Sequence, residues 1–399
     1  MMQFNHRPHR LASLTLAIFE MALMTAANAL ADLSITDVSA KQRYPWNGLV
    51  DVTYTIVGDV SSMTQPSIIM TATDENTGLT YLAQTFLSPP PMTEGTHTVT
   101  WNPVADALHI TSDRMRMTIT IKDRFPLYCF IDVSGGSSAE SYPVTYLDAV
   151  PSSGWTTEHK TDYIVMRWCP AGTYMMQGQR KVTLTKPFYI GIFQVTQQQY
   201  KNVMGENGSN GQEAHPKSQR YANIRGGVDY PTSRKVDANS FAGKLIAKTG
   251  MSGFDLPTEA QWEYACRAGT ITELSSGKGL NPVNVRELAR VYEGSSSGQY
   301  GVVGCYKANP WGLYDMYGNG PEMCLDWHQD DVGTEDAIDP VGPESGVNRV
   351  TRGCGWSYPS SGSEYMPVGV SCYMSCTRGY TRKYDNWAAW FRICMNCSE

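Results

Sequence analysis

Clusters of lysine and arginine are missing from this sequence, as are long helical stretches rich in alanine, glutamate, lysine and leucine. Charged residues make up 18% of the 399 residues, and the formal net charge is -6. Nucleic-acid binding requires clustered basic side chains, so the composition argues against a nucleic acid as a partner.

Histidine is also scarce, and this limits the catalytic centres that the chain could build. Beyond residue 150 the histidines are His159, His215 and His328, which lie far apart in the sequence. A non-haem iron centre takes two histidines and a carboxylate on one face, and a catalytic serine needs a histidine beside it. Neither pattern is found.

Apolar residues, glycine and tyrosine are plentiful. Hydrophobic residues make up 41% of the chain, with 36 glycines and 23 tyrosines. That composition supplies enough apolar material for folded cores and predicts a protein rich in strands and loops. The length corresponds to about two or three domains.

The first 31 residues are predicted to be a secretory signal peptide. A basic region at 6–10 precedes an apolar run at 11–30, which ends in a small-x-small cleavage site before Asp32. Glu20 interrupts the run, and a buried helix of the mature protein is the alternative. No other run approaches the ~20 apolar residues of a membrane span. We therefore expect an exported protein (periplasmic, extracellular or cell-surface) without a membrane span.

Residues 32–148 are predicted to form an all-β sandwich of the immunoglobulin or fibronectin type. Apolar and polar residues alternate along 49–57, as in a half-buried strand. Short strands separated by turn residues are typical of a sandwich. Further strands are predicted at 67–73, 96–101 and 115–122. A turn-rich linker at 149–161 then leads to a second domain at 162–399.

Three helices are predicted in the second domain. The strongest begins after the N-cap Thr258, has Gln261 in the capping-box position, and stops at Gly269. The other two are predicted at 196–204, with Thr196 as N-cap, and at 238–248.

All ten cysteines lie beyond the predicted signal peptide. Export would permit disulfides, and the two close pairs at 372/376 and 394/397 leave a zinc knuckle as an alternative. The cysteines are Cys129, Cys169, Cys266, Cys305, Cys324, Cys354, Cys372, Cys376, Cys394 and Cys397.

Four segments of the second domain resemble, in order, the formylglycine-generating (sulfatase-modifying) enzyme family. The longest and most specific is DLPTEAQWEYACRAG at 255–269. The others are FYIGIFQVT at 188–196, NPWGLYDMYGN at 309–319, and RVTRG at 349–353 with a closing FR at 391–392. The resemblance implies an α+β, loop-rich fold related to C-type lectins. Scattered tryptophans would fill its core: Trp262, Trp311, Trp327 and Trp356.

The resemblance also implies where catalysis would occur. Active members oxidise a sulfatase cysteine with copper held by two cysteines, separated by four intervening residues, after an Arg-Gly-Gly-Ser motif. Here the motif is Arg352-Gly353-Cys354-Gly355, and Tyr358 and Ser363 fall at the two thiol positions. Oxygen side chains do not hold cuprous copper as thiolates do. We therefore predict no copper and no catalytic residue, with Cys372 and Cys376 as an alternative thiol pair.

A structural calcium is a second implication of the resemblance. The family turn Gly-Asn-x-Trp-Glu-Trp corresponds to 318–323, so Asn319, Glu322 and the carbonyls of Gly318 and Gly320 are the predicted ligands. The alternative is that Glu322 pairs with an arginine. The acidic run that follows, 326–331, is predicted to be a solvated loop.

Two further features follow from the family pattern. The resemblance implies a disulfide between Cys266 and Cys376. The usual Gly-Phe-Arg ending is Trp390-Phe391-Arg392 here, and a tryptophan in place of glycine must move the chain locally.

The aromatic-rich stretch before this ending predicts a binding surface. Tyrosine and tryptophan separated by small residues resemble the composition of antibody paratopes. The family scaffold also occurs in variable proteins whose hypervariable positions occupy this stretch. The predicted binding residues are Trp356, Tyr358, Tyr380, Arg382, Tyr384, Asn386 and Trp387.

Three functions are consistent with these patterns. The first is a non-catalytic protein that binds a protein or glycan ligand through the aromatic-rich surface. The second is an active copper oxidase acting on sulfatase cysteines, and the third is a purely structural surface module.

Overall fold

The structure is a computed structural model that carries side chains. It describes residues 33–43, 47–58, 66–106, 108, 110, 112–123, 126–206, 211–227, 230–279, 282–290, 300–353 and 388–397. Within these ranges, no helix is both long enough and apolar enough to cross a lipid bilayer.

Nineteen strands and six helices make up the described chain. The strands are β1 Ser34–Gln42, β2 Val50–Val57, β3 Pro66–Asp74, β4 Thr80–Ala83, β5 Gly95–Trp101, β6 Met115–Asp123, β7 Tyr128–Asp132, β8 Val144–Leu147, β9 Tyr163–Cys169, β10 Gly172–Met176, β11 Arg180–Leu184, β12 Phe188–Gly191, β13 Gln219–Arg220, β14 Phe254–Asp255, β15 Glu322–Trp327, β16 Ala337–Ile338, β17 Arg349–Arg352, β18 Ala388–Ala389 and β19 Cys394–Asn396. The helices are α1 Glu158–Thr161, α2 Gln197–Met204, α3 Tyr221–Ile224, α4 Phe241–Thr249, α5 Glu259–Arg267 and α6 Pro282–Leu288.

The N-terminal region is all-β, as predicted. One three-stranded sheet has the order β1-β2-β5 and another has the order β4-β3-β6. Along β2, Val52, Tyr54 and Ile56 are buried while the residues between them are half-buried. This is the alternation that the sequence pattern predicts, because successive side chains of a strand point to opposite faces.

The predicted boundary at 148 differs from the strand pairing. β7 and β8 both belong to the six-stranded sheet of the second compact unit, which has the order β14-β19-β12-β9-β7-β8. Most of β7 is buried, and it is an interior strand of that sheet, hydrogen-bonded to β9 along one edge and to β8 along the other. A local sequence pattern identifies such a strand but not the sheet that it joins.

The three predicted helices are present, and the N-caps predicted for two of them are confirmed. Thr196 caps α2 and Thr258 caps α5, each through a complete capping box, and the Ser240 side chain caps α4. The expected stop at Gly269 falls one residue early, since Ala268 already adopts the left-handed conformation with φ 50°.

Helix α5 lies at the centre of the second unit. All nine of its residues are buried, and Trp262 and Trp311 belong to the apolar cluster around it. Trp327 is also buried. The predicted core role is confirmed for these three tryptophans, while Trp356 lies outside the described residues.

Candidate functional site

Glu322, the first residue of β15, lies where three segments of the second unit meet. In the antiparallel ladder it stands opposite Arg352 at the end of β17, and a parallel bridge joins it to Trp390. The backbone N–H of Met323 donates to the Trp390 carbonyl at 2.9 Å. Glu322 therefore pairs on one side with the end of β17 and on the other side with the segment that precedes β19.

The carboxylate of Glu322 is fully buried and fully engaged. Arg392 donates from Nε to Oε2 at 2.5 Å and from Nη2 to Oε1 at 2.6 Å, and the Trp262 indole donates to Oε2 at 2.7 Å. Arg392 also donates to the Gly191 carbonyl at 2.8 Å. Burial would lower the pKa of Arg392, but the Glu322 charge outweighs it and the pKa is raised.

A second buried group of charges adjoins the first through α5. Glu263 accepts from Arg352 and, through Oε1, from Arg267 Nη2 at 2.7 Å. The backbone N–H of Gln177 donates to the same oxygen at 2.6 Å. Glu259 lies one turn earlier on the helix, 3.3 Å from Arg352 Nε. Burial raises the pKa of Glu259, and Arg352 partly offsets this.

We call these six side chains the ionic platform. They neutralise one another in the protein interior, where an unpaired charge would be costly. The platform consists of Glu259, Glu263, Arg267, Glu322, Arg352 and Arg392.

Asp326 is a buried acid at the N-terminus of α5. Its Oδ2 accepts from the Glu259 backbone N–H at 2.7 Å. Burial, and then the nearby Glu259, raise the pKa of Asp326 to about 8. The prediction that the acidic run 326–331 is solvated is therefore wrong for its first residue, which belongs to β15 and faces the helix.

Asp315 is a further buried carboxyl near the central turn. It accepts from the Gly304 backbone N–H at 2.7 Å, and burial raises its pKa to about 6. Arg392 and Glu322 act on it electrostatically in opposite directions. Asp315 thus extends the buried charge network beyond the platform.

The four predicted calcium ligands have protein partners. Glu322 pairs with an arginine, as in the alternative prediction. Asn319 Oδ1 accepts from Gly301 N at 2.7 Å, and Gln194 Nε2 donates to the carbonyls of Gly320 at 3.0 Å and Gly318 at 3.4 Å. A calcium ion here would displace these donors and lie beside a guanidinium, so the residues as arranged do not fit the ion.

Trp390 meets the same turn. Gly320 has φ +140°, and a Cβ built on it would lie 2.4 Å from Cδ2 of Trp390. The indole ring thus packs directly on the glycine backbone. This contact accommodates the tryptophan at the position where the family pattern has glycine.

Four of the buried thiols are poor candidates for copper. Burial raises the pKa of Cys129 and Cys169 to about 12, and raises the pKa of Cys324 and Cys394 well above the usual value. Among the described residues, no three His, Cys, Asp or Glu side chains are grouped to hold a metal. Cys266 is buried in the core.

Most of the predicted site lies outside the described residues. This applies to the alternative thiol pair, to Tyr358 and Ser363, and to the binding residues. The disulfide from Cys266 to Cys376 stays a prediction for the same reason. The positions concerned are Trp356, Tyr358, Ser363, Cys372, Cys376, Tyr380, Arg382, Tyr384, Asn386 and Trp387.

Sequence reasoning missed most of the ionic platform. Glu259, Glu263 and Arg267 are spaced four residues apart on one face of α5, and this spacing was the available signal. On a surface helix the same pattern would be solvated. Only the fold places it in the interior.

The geometry defines a class: a strand-rich, loop-rich domain whose central turn is fixed by buried arginine–carboxylate pairs. The family model described as "Sulfatase-modifying factor enzyme 1-like domain" matches residues 154–383, more than half of the chain. The chain belongs to this family, which confirms the predicted resemblance.

Relatives in the family have varied names. "Chaperone protein LppX" of Paenibacillus barcinonensis is 28% identical over 249 residues, which are 53% of this chain and 84% of that protein. "Formylglycine-generating enzyme" of Bos taurus is 35% identical over 118 residues, 27% of this chain and 31% of the enzyme. The chain thus covers less than a third of that enzyme's length.

A solved structure gives a weaker likeness. Treponema denticola variable protein 1 is 25% identical with a TM-score of 0.41, and the match covers 59% of this chain and 96% of that chain.

Proposed function

We propose that this chain is an exported, non-catalytic member of its family that binds a polypeptide partner through residues 354–387. The observation that carries the proposal is the position of Glu322. Arg352, just before this segment, and Trp390, just after it, flank the same buried residue. The residues that flank both ends of the segment are therefore anchored to the same buried residue, Glu322.

A rigid anchor of this kind is suited to holding a binding segment in place. Binding residues are commonly found on connections that a rigid scaffold positions. The ionic platform is such a scaffold, because each of its carboxylates faces a buried guanidinium. The segment itself is rich in tyrosine and tryptophan, which provide large contact areas at small entropic cost.

The chemistry of the site supports a non-catalytic role. Copper oxidation in the family requires two accessible thiolates, and the sequence has Tyr358 and Ser363 at those positions. The platform's charges are paired with one another, so they serve structure rather than proton transfer. Glu263 and Glu322 each accept from more than one donor.

A polypeptide is the favoured partner. A relative whose length is largely covered by this chain is named a chaperone protein. Aromatic side chains also recognise extended peptides by packing against apolar side chains while their polar groups bind the peptide backbone. A glycan partner is the other outcome of the test.

Binding to a non-native polypeptide tests the proposal. The probe is reduced, carboxymethylated lactalbumin, with fluorescence anisotropy as the readout. We expect the double variant Tyr384→Ala/Trp387→Ala to bind at least about tenfold more weakly, since buried aromatic contacts at interfaces each contribute roughly 1–2 kcal/mol or more.

The control is Leu87→Ala, which truncates an exposed apolar side chain in the N-terminal region. It should bind like the unmodified chain. Equal binding by the double variant would contradict the proposal. A positive glycan array together with no polypeptide binding would replace the partner class.

A further inference from the structure

β8 is the last strand of the six-stranded sheet among the described residues. β8 pairs with β7 on one side, and no strand among the described residues pairs with the other. Tyr146 is 45% exposed and Leu147 is 41% exposed. β8 has neither lysine nor an internal proline, so its short length of four residues is the feature that limits strand pairing at this edge.

The ladder fixes which backbone groups face outward. Asp132 N donates to the Pro143 carbonyl at 2.9 Å, so these two residues form a hydrogen-bonded pair. Pairs alternate along an antiparallel ladder, and Thr145 and Leu147 therefore also bond to β7. The N–H and C=O groups of the intervening residues, Val144 and Tyr146, point away from the sheet.

Only an extended strand offers donors and acceptors at the spacing of such an edge. The sequence of β8 is complementary to itself in one antiparallel register. With Thr145 opposite its own copy, Val144 of each chain faces Tyr146 of the other, and about four backbone hydrogen bonds form. Aromatic–β-branched and Thr–Thr pairs are favourable cross-strand neighbours.

The flanking residues agree with this register. Pro143 would face Leu147 at a position that requires no outward N–H, so its missing donor costs nothing. Asp148 would face the uncharged Tyr142, so no like charges oppose each other. Tyr142 N already donates to the Lys248 carbonyl at 2.8 Å, and the shared ladder would end there.

We propose that β8 is a self-association edge through which two copies of this chain pair antiparallel about a twofold axis at Thr145. The contact is isologous, so it closes after two chains. A pair of four-residue strands buries much less surface than the ~1,600 Å² of a standard interface, so the dimer is weak and its population depends on concentration.

Sedimentation equilibrium of the full chain tests this edge. We expect the mass to rise from one chain towards two with concentration. Thr145→Lys, which places two ammonium groups opposite each other at the axis, should abolish the rise, and Val144→Pro, which removes an outward donor, should weaken it. The control Thr334→Lys changes the charge equally on an exposed loop and should dimerise normally.

Hydrogen exchange provides the second readout. The amides of Val144 and Tyr146 should become protected as concentration rises, while the Thr145 amide, already bonded to β7, should not change. A chain that stays monomeric at all concentrations would overturn the proposal, as would a dimer that Thr145→Lys leaves intact. Protection that appears only with added carboxymethylated lactalbumin would identify a client strand as the occupant instead.

Discussion

At the scale of single residues, the pair between Glu322 and Arg392 makes the strongest prediction. Removing the guanidinium with Arg392→Met would leave the buried Glu322 carboxylate with the Trp262 indole as its donor among the described contacts. Breaking a buried ion pair in this way costs about 3–5 kcal/mol. We expect the free energy of unfolding, measured with urea, to fall by that amount.

The matched control is the double variant Glu322→Gln/Arg392→Met. It removes the orphaned charge and should recover part of the loss, because contacting residues are not additive. A single variant that unfolds within about 0.5 kcal/mol of the parent would show that the platform is not a structural base.

Asp326 makes a prediction about pH. Its pKa is raised to about 8 from an ordinary 3.8, so between those values the folded chain holds a proton that the unfolded chain lacks. Stability should therefore fall as pH rises through that window. Asp326→Asn keeps an acceptor for the Glu259 N–H and should flatten the pH dependence by up to about 1.4 kcal/mol per pH unit.

Thermal unfolding from pH 5 to 8 measures this slope. Asp330→Asn changes an exposed carboxylate of the same segment and should leave the slope as it is. If Asp326→Asn has the same slope as the parent, Asp326 is ionised in the folded protein across this range.

At the scale of elements, the central turn depends on a glycine facing a tryptophan. Gly320→Ala would place a Cβ 2.4 Å from the Trp390 ring at a backbone angle, φ +140°, that side chains rarely adopt. We expect a loss of more than about 2 kcal/mol in urea unfolding. Gly279→Ala, with nothing within 4 Å, is the control and should be nearly neutral.

Adding Trp390→Gly to Gly320→Ala separates the two causes. The clash disappears in the double variant, but the strained backbone angle remains. Partial recovery is therefore expected. Full recovery of stability would show that the backbone strain is negligible. No recovery would show that the contact with the ring contributes nothing to the loss.

Elements with local signals could be predicted from the sequence. Helices α2 and α5 each have a capping box within four residues, and β2 alternates along its length. These signals are complete within one short stretch of chain. The predictions of the N-terminal strands and of all three helices are accordingly confirmed.

Features that depend on distant partners could not be predicted. Glu322 and Arg392 are separated by 70 positions, and nothing near either residue indicates burial. The same holds for β7, whose partner β9 begins only after the predicted linker. Whether Glu322 faces a calcium ion or an arginine likewise depends on which distant side chain reaches it, and this is Arg392.

At the scale of the whole molecule, membership of the family and retention of its chemistry are separate questions. The family match covers residues 154–383 and includes the segment with Tyr358 and Ser363 and every member of the platform except Arg392. A scaffold can persist while the site upon it changes. We therefore propose a structural role for the scaffold and a binding role for the segment.

Titration of the full chain with cuprous ion, in the presence of a sulfatase-motif peptide, tests the proposed non-catalytic assignment most directly. We predict no stoichiometric copper binding and no aldehyde in the peptide by mass spectrometry. Copper bound at one equivalent and lost in Cys372→Ser or Cys376→Ser, with the peptide cysteine converted, would contradict the assignment.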